Sequence, residues 1–247
     1  MEIQPLQETA IPASVDVELE AFRSHPRMPM LYPRGYTPDL YAFYTRQKTQ
    51  KFHDSDVRVF KVVDPKTGKM VACSEWNFAL DPKKASESIV IDPDEPPPPN
   101  YPEGGNWAIT RFSKNEWEKW RHITLTGKPY ISLSHSLRTS PRSRPNASPA
   151  LDLLLVHPAF QGRGAATHLL SWGCARADGS GVPIVLESTP AGLSLYRRFG
   201  FTQVKVVAAD MQQQFGWHEP YDEEAAKRFW MVREPRQRHH SGMTAVH

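Results

Sequence analysis

The fold of this chain is decided by the stretch Leu151-Asp152-Leu153-Leu154-Leu155-Val156-His157-Pro158-Ala159-Phe160-Gln161-Gly162-Arg163-Gly164-Ala165-Ala166. The first six residues are too few to span a membrane and too uniformly apolar for a surface ribbon, so they predict a buried central strand. Pro158 ends that strand because it has no N–H to donate to a ladder. Apolar residues then recur at helical spacing, which predicts a helix that runs to about Ala177.

Gly162 and Gly164 lie where this strand hands over to the helix, and they allow the main chain to approach a ligand closely. Unpaired N–H groups at a helix start point outward with the positive end of the helix dipole, which suits a diphosphate. Two nucleotide-binding motifs do not fit this turn. The chain has no G-x-x-x-x-G-K-[ST] sequence, and Thr167 stands where G-x-G-x-x-G needs its third glycine.

A different pattern, Gln/Arg-x-x-Gly-x-Gly/Ala, is met by Gln161, Gly164 and Ala166. A second motif follows at the proper separation: a strand at Pro183–Glu187, Ser188-Thr189-Pro190 opening a helix, and Leu195-Tyr196-Arg197-Arg198-Phe199-Gly200-Phe201 closing it. Together the two motifs resemble the GCN5-related N-acetyltransferase (GNAT) family of acyl-CoA-dependent N-acyltransferases, and most of all its small fungal members of unassigned substrate. The resemblance implies an α/β (α+β) fold, with a mixed, mostly antiparallel sheet, two splayed central strands and flanking helices.

The resemblance also implies acetyl-CoA, or a related acyl-CoA, as co-substrate, and no metal. The pantetheine arm of the co-substrate would enter a gap between the strands matching Leu151–Val156 and Val182–Glu187, and the diphosphate would bind the glycine-rich turn. The residues expected to bind the cofactor are Leu154, Leu155, Val156, Gln161, Gly162, Arg163, Gly164, Ala165, Ala166 and Ser188.

Acyl transfer to an amine needs a base for the ammonium proton and benefits from an acid for the departing thiolate. The resemblance places Tyr196 near the thioester sulfur as the general acid, because a phenol of pKa about 10 stays protonated at neutral pH. The alternative for Tyr196 is a core tyrosine packed between Leu193 and Phe199.

The general base is left open between three carboxylates. Asp152 shares a strand face with Leu154 and Val156, and a carboxylate inside an apolar strand is a candidate for a raised pKa. Glu75 and Glu187 are rivals on neighbouring strands. Asp152 could instead serve a structural contact with a loop or an arginine, and a water relay would make any single base dispensable.

The acceptor implied by the resemblance is the primary amine of a small molecule. In the family, the segment between the first two helices borders the acceptor pocket, which assigns His25, Met28, Met30, Leu31 and Tyr32 as acceptor contacts, with ordinary packing as the alternative. Two other functions stay open: a non-catalytic CoA-binding sensor or scaffold, and a protein or histone N-acetyltransferase.

The 247 residues and the hydrophobic share of 39% predict one domain over residues 1–233, with flexible inserts at 92–105 and 134–150 and a flexible tail at 234–247. A net charge of +3 is too mild to indicate a nucleic-acid partner, and no apolar run approaches membrane length. Cys73 and Cys174 are expected to be reduced packing residues. With no export signal at Met1–Pro5, we expect an intracellular, cytoplasmic protein.

The remaining pattern predicts further elements along the chain. They are an edge strand at Ile3–Leu6, a helix at Ala13–Phe22, a helix opened by Thr37-Pro38-Asp39, a hairpin of Val57–Val63 with Met70–Phe78, a helix at about Lys114–His122 and a last strand at about Phe229–Arg233.

Overall fold

The computed structural model describes residues 1–79, 92, 94–125, 129–133 and 153–236. Eight strands form one sheet in these residues. They are β1 (Ile3–Pro5), β2 (Val57–Val63), β3 (Met70–Ala79), β4 (Tyr130–Leu133), β5 (Leu153–Val156), β6 (Ile184–Ser188), β7 (Thr202–Val207) and β8 (Arg228–Arg233). Their order is β1-β2-β3-β4-β6-β8-β7, and β5 also pairs with β3. Only the β4–β6 pair is parallel, so the predicted mixed and mostly antiparallel sheet is confirmed.

Helices cover both faces of this sheet. They are α1 (Ile11–Phe22), α2 (Met28–Leu31), α3 (Pro38–Phe52), α4 (Trp107–Leu125), α5 (Ala165–Ser180), α6 (Leu193–Arg198), α7 (Met211–Phe215) and α8 (Glu223–Ala226). Thr37 caps α3 as predicted, since its hydroxyl oxygen accepts a hydrogen bond from Leu40 N at 3.4 Å. Helix α4 is longer at both ends than the predicted Lys114–His122.

Strands β4 and β5 lie in line along the same edge of β3. Ser132 pairs with Asn77, and Leu153 pairs with Glu75, only two positions further along β3. The chain advances by 21 residues between these two pairings, whereas one continuous strand would advance by two. The register of β4 and β5 on β3 is therefore that of one continuous strand in which Leu153 would directly follow Leu133. In the sequence, 19 additional residues, 134–152, stand between them.

The two faces of the sheet carry different clusters. Leu153, Leu155 and Cys73 pack with Val17 of α1 on one face. On the other face, Ile131 of β4 and Leu154 of β5 belong to a cluster with Trp76 and with Leu169 and Leu170 of α5. Side chains alternate along a strand, so the shared cluster of Ile131 and Leu154 agrees with the in-line arrangement of β4 and β5.

Cys73 and Cys174 are both free and buried, as predicted. Burial raises the pKa of the Cys73 thiol to about 12 and that of Cys174 to about 11, so neither is a thiolate at neutral pH. Within the described part of the chain, no helix combines the length and apolar character that crossing a membrane would need.

Candidate functional site

The sheet opens between β5 and β6. Strand β4 pairs with β6 through Leu133 opposite Leu186, but among the described residues β5, which continues the line of β4, pairs with β3 alone. The last residues of β6, Glu187 and Ser188, pair with β8 on their other side. Among the described residues, the edge of β5 that faces β6 and the end of β6 beyond Leu186 have no strand partner on the sides that face each other, so the two strands part as a wedge.

Part of the β5 main chain faces this wedge. His157 N donates to Val71 O at 2.8 Å, and hydrogen-bonded pairs alternate along an antiparallel ladder. The N–H and C=O groups of Leu155 therefore face β3, whereas those of Leu154 and Val156 point away from β3 and into the wedge. Three residues, Leu154, Leu155 and Val156, were predicted to bind the pantetheine arm. Of these, Leu154 and Val156 direct their main-chain N–H and C=O groups into the wedge.

The glycine-rich turn lies at the end of β5. A short 3₁₀ helix, Pro158–Phe160, leads into it, and α5 begins directly after Gly164. Gly162 and Gly164 have φ values of +74° and +88°, which favour glycine, and a Cβ on either would meet no atom within 4 Å. No side chain of the described residues caps the N-terminus of α5, so the first N–H groups of the helix have no side-chain acceptor there and are donors suited to an anion.

Arg163, in the same turn, is exposed and lies with its guanidinium carbon 4.9 Å from the centre of the Phe160 ring. Gln161 Nε2 donates to Val156 O at 3.4 Å, which ties the turn to the end of β5. Both residues thus border the entrance to the wedge.

Tyr196 approaches the wedge from the α5 face of the sheet. It is buried in the cluster that contains Leu154 of β5 and Leu186 of β6, and its ring contacts Phe201 edge to face. A Cβ on Gly192 would lie 2.7 Å from Ser188 Oγ and 2.9 Å from Tyr196 Cε2, so glycine at this position allows the phenol ring to approach the end of β6. Burial raises the pKa of Tyr196, which keeps the hydroxyl protonated and able to donate.

The opposite face carries a pocket at the end of β6. It encloses about 550 Å³, including the open solvent at its mouth. The charged residues on its wall are Glu18 and Arg27 near α1 and α2, and Glu187 and Arg228 on the sheet. Of the five expected acceptor contacts, His25, Met28 and Leu31 line this pocket, whereas Met30 and Tyr32 are buried in a cluster with Leu40 and Phe43.

Three buried charges connect α1, α3 and β3. Lys48 Nζ lies 2.7 Å from Glu75 Oε1 and 2.8 Å from Glu18 Oε2. Burial disfavours the Lys48 ammonium, but the two carboxylates outweigh it and raise the pKa of Lys48. Burial raises the pKa of Glu18 above its ordinary 4.5 against the opposing effect of Lys48.

The second charged group joins β6, β8 and α2. Arg228 Nη1 donates to both oxygens of Glu187, at 2.8 and 3.1 Å. Arg27 lies beside this pair, and its Nη2 donates to Ser113 Oγ at 2.5 Å. Burial and then the charge of Arg228 lower the pKa of Arg27 to about 9, so the guanidinium is still positive at neutral pH.

The three predicted bases are therefore placed differently. Glu187 lines the pocket but is bound by Arg228, and Glu75 is bound by Lys48 beneath the pocket wall. Asp152 lies outside the described residues.

The sequence analysis did not name Glu18. A signal for it was present in the sequence, since Glu18 interrupts the apolar stripe of α1 that contains Ile11, Val15 and Leu19. Among the described residues, no group of three or more His, Cys, Asp or Glu side chains is arranged to hold a metal ion.

Comparison with known proteins agrees with this geometry. Residues 137–203 match the domain family described as "Acetyltransferase (GNAT) domain". No curated protein sequence matches the chain.

Similar solved structures include three whose folds cover nearly the whole chain. The histone acetyltransferase HPA2 and related acetyltransferase from Corynebacterium glutamicum is 18% identical, with a TM-score of 0.53 over 95% of this chain and 96% of that one. The mosquito arylalkylamine N-acetyltransferase like 5b is 12% identical, with a TM-score of 0.57 over 94% and 99%. The Drosophila melanogaster polyamine N-acetyltransferase is also 12% identical, with a TM-score of 0.55 over 94% and 97%. At these identities the likeness establishes the fold.

Proposed function

We propose that this protein is an acyl-CoA-dependent N-acyltransferase, and the premise is the match of residues 137–203 to the GNAT acetyltransferase domain. In this proposal the enzyme transfers acetyl from acetyl-CoA to the primary amine of a small molecule. The parting of β5 from β6 carries the proposal. It leaves a wedge with main-chain donors and acceptors along one edge and an uncapped helix start at its mouth. The strands of the sheet extend from Ile3 to Arg233, which supports one domain over residues 1–233.

The co-substrate is assigned to the wedge. Leu154 and Val156 offer main-chain groups to the amides of the pantetheine arm, and the N–H groups from Gly162 to Ala166 offer donors to the diphosphate. Ser188, buried at the end of β6, lies beside Gly192 and Tyr196 and would border the thioester.

The acceptor is assigned to the pocket on the α1 face, so that its amine and the thioester meet at the end of β6. Glu18 is the base we favour, because it lines the pocket and burial raises its pKa towards that of a useful proton acceptor. Its carboxylate removes a proton from the ammonium, and the free amine then attacks the thioester carbonyl directly. As the carbon–sulfur bond breaks, Tyr196 donates its proton to the thiolate, so no covalent enzyme intermediate forms.

Binding of acetyl-CoA to the wild-type protein, measured by calorimetry, tests this assignment. Gly164→Glu places a carboxylate where the diphosphate is assigned and should weaken binding by about tenfold or more. Gly181→Glu is the matched control, because Gly181 ends the same helix with a φ of +65° and equally open space around its Cβ. Equal affinities in the two variants would contradict the diphosphate site.

Release of free thiol from acetyl-CoA in the presence of amines tests the reaction itself. A protein that binds acetyl-CoA and releases no thiol with any amine or peptide would be the non-catalytic sensor or scaffold. Release with peptides alone would identify a protein N-acetyltransferase instead.

A further inference from the structure

We propose that the acceptor bears a carboxylate as well as its amine, and that Arg27, on the wall of the same pocket as Glu18, binds this carboxylate. The inference rests on the proposed function in one respect, since it takes the pocket at the end of β6 as the acceptor site.

Arg27 is a buried cation that forms no ion pair of its own with the described residues. Its side chain is only 7% exposed, and in the described part of the chain no carboxylate oxygen lies within 4 Å of it. Its Nη2 donates to the neutral Ser113 hydroxyl, and its Nε is buried without a partner. A buried charge is costly unless it is paired, so this guanidinium is set up for an anion that the described residues do not supply.

The neighbouring carboxylate does not meet this need. Both oxygens of Glu187 already accept from Arg228, and Arg228 adds a second positive charge beside Arg27. Among the described residues, the two guanidiniums and the one carboxylate of this group leave it with an excess of positive charge. A ligand carboxylate would supply the missing anion and match the planar fork of Arg27.

The same pocket also has an acidic side chain on its wall. Glu18 lines the pocket, and the Lys48 ammonium lies between Glu18 and Glu75, with Lys51 as a further cation that acts on Glu18. Phe22, Met28 and Leu31 form apolar walls of the same pocket. The pocket therefore suits a molecule with an ammonium, an apolar body and a carboxylate, which is the chemistry of an amino acid.

Matched pairs of ligands that differ only in the carboxylate test this assignment. Phenylalanine is compared with phenethylamine, and leucine with isoamylamine, by calorimetry on the full chain without acetyl-CoA and then by thiol release with it. We expect the carboxylated member of at least one pair to bind about tenfold more tightly or better. Arg27→Met should abolish that preference and leave the binding of the decarboxylated amine unchanged, and Arg27→Lys should restore part of it.

Arg23→Met is the matched control, because Arg23 is an exposed arginine paired with Glu20 one helical turn away. It should leave both members of each pair unaffected. The inference is overturned if the decarboxylated amines bind as well as the amino acids, if neither class binds, or if Arg27→Met keeps the preference. Failure of acetyl-CoA binding would overturn the proposed function instead, since the ligand pairs are first measured in the absence of acetyl-CoA.

Discussion

Excision of residues 134–152 should produce a more stable protein, because it would join β4 and β5 into one strand without changing any pairing. Leu133 would then be bonded directly to Leu153, so that Ser132 opposite Asn77 and Leu153 opposite Glu75 keep their partners. The alternation of faces is preserved as well. Ile131 and Leu154 would stand four positions apart in the joined strand and would still reach the same cluster.

The size of the effect follows from loop closure. The register on β3 holds the end of β4 and the start of β5 at consecutive positions, so folding must bring the two ends of a 19-residue segment together. That closure costs about (3/2)RT ln 19, or about 3 kcal/mol, which the excised chain avoids. For a protein of this size, about 3 kcal/mol corresponds to a rise in melting temperature of about 6–12 °C. The figure is an upper bound, since any native contact of the segment is lost with it.

Thermal and urea unfolding of both proteins would measure this difference. The sharpest control removes one residue fewer, 134–151, and joins Leu133 to Asp152. A one-residue slip moves every following side chain to the other face of the sheet, so this variant should be far less stable than the 19-residue excision. Acetyl-CoA affinity should survive the 19-residue excision because Leu154 and Val156 keep their orientation. If the two excisions were equally stable, or if removal of 134–152 lowered stability, the reasoning from register would be refuted.

Three further predictions concern single residues. Tyr196→Phe should lower kcat by about 10²–10⁴-fold with unchanged acetyl-CoA affinity, and equal turnover would remove Tyr196 from the mechanism. Gly173→Ala should cost about 1–3 kcal/mol in urea unfolding, because the new Cβ would lie 2.0 Å from Trp76 Cη2. Gly179→Ala, in the same helix but in open space, should instead stabilise the protein by about 0.5–1 kcal/mol, and similar effects at both positions would contradict the packing argument. We assign the carboxylate of Glu18 as the proton acceptor, and burial raises its pKa, so kcat/KM should fall as the pH drops through a value above 4.5. Glu18→Gln should remove this fall at acidic pH, whereas an unchanged fall would assign the base to another residue.

The predictions from sequence succeeded where the determining pattern is local. The strand, the turn with two glycines and the helix that follows are contiguous in the chain, so the local pattern indicated a strand that hands over to a helix. The capping of α3 by Thr37 was predictable for the same reason, since donor and acceptor are three residues apart.

The charged groups of the pocket could not be predicted in this way. Lys48 and Glu75 are 27 residues apart, and Arg228 and Glu187 are 41 apart, so no local pattern shows that they meet. Lys48 and Arg228 alone have the appearance of ordinary surface charges, and nothing near Glu75 or Glu187 in the sequence names the cation that binds each of them. Glu18 is the exception, because a carboxylate on the apolar stripe of an amphipathic helix demands a partner or a cleft.

The position of the 19 additional residues has a physical reason in the sheet itself. They enter after Leu133, which is the last residue of β4 to pair with β6, opposite Leu186. Beyond that point the edge of β5 that faces β6 has no strand partner among the described residues. A break placed earlier would interrupt ladders on both sides of the strand, whereas a break here interrupts only the ladder to β3. The parting of β5 from β6 therefore also explains why 19 residues can stand between Leu133 and Leu153 while the register along β3 is kept.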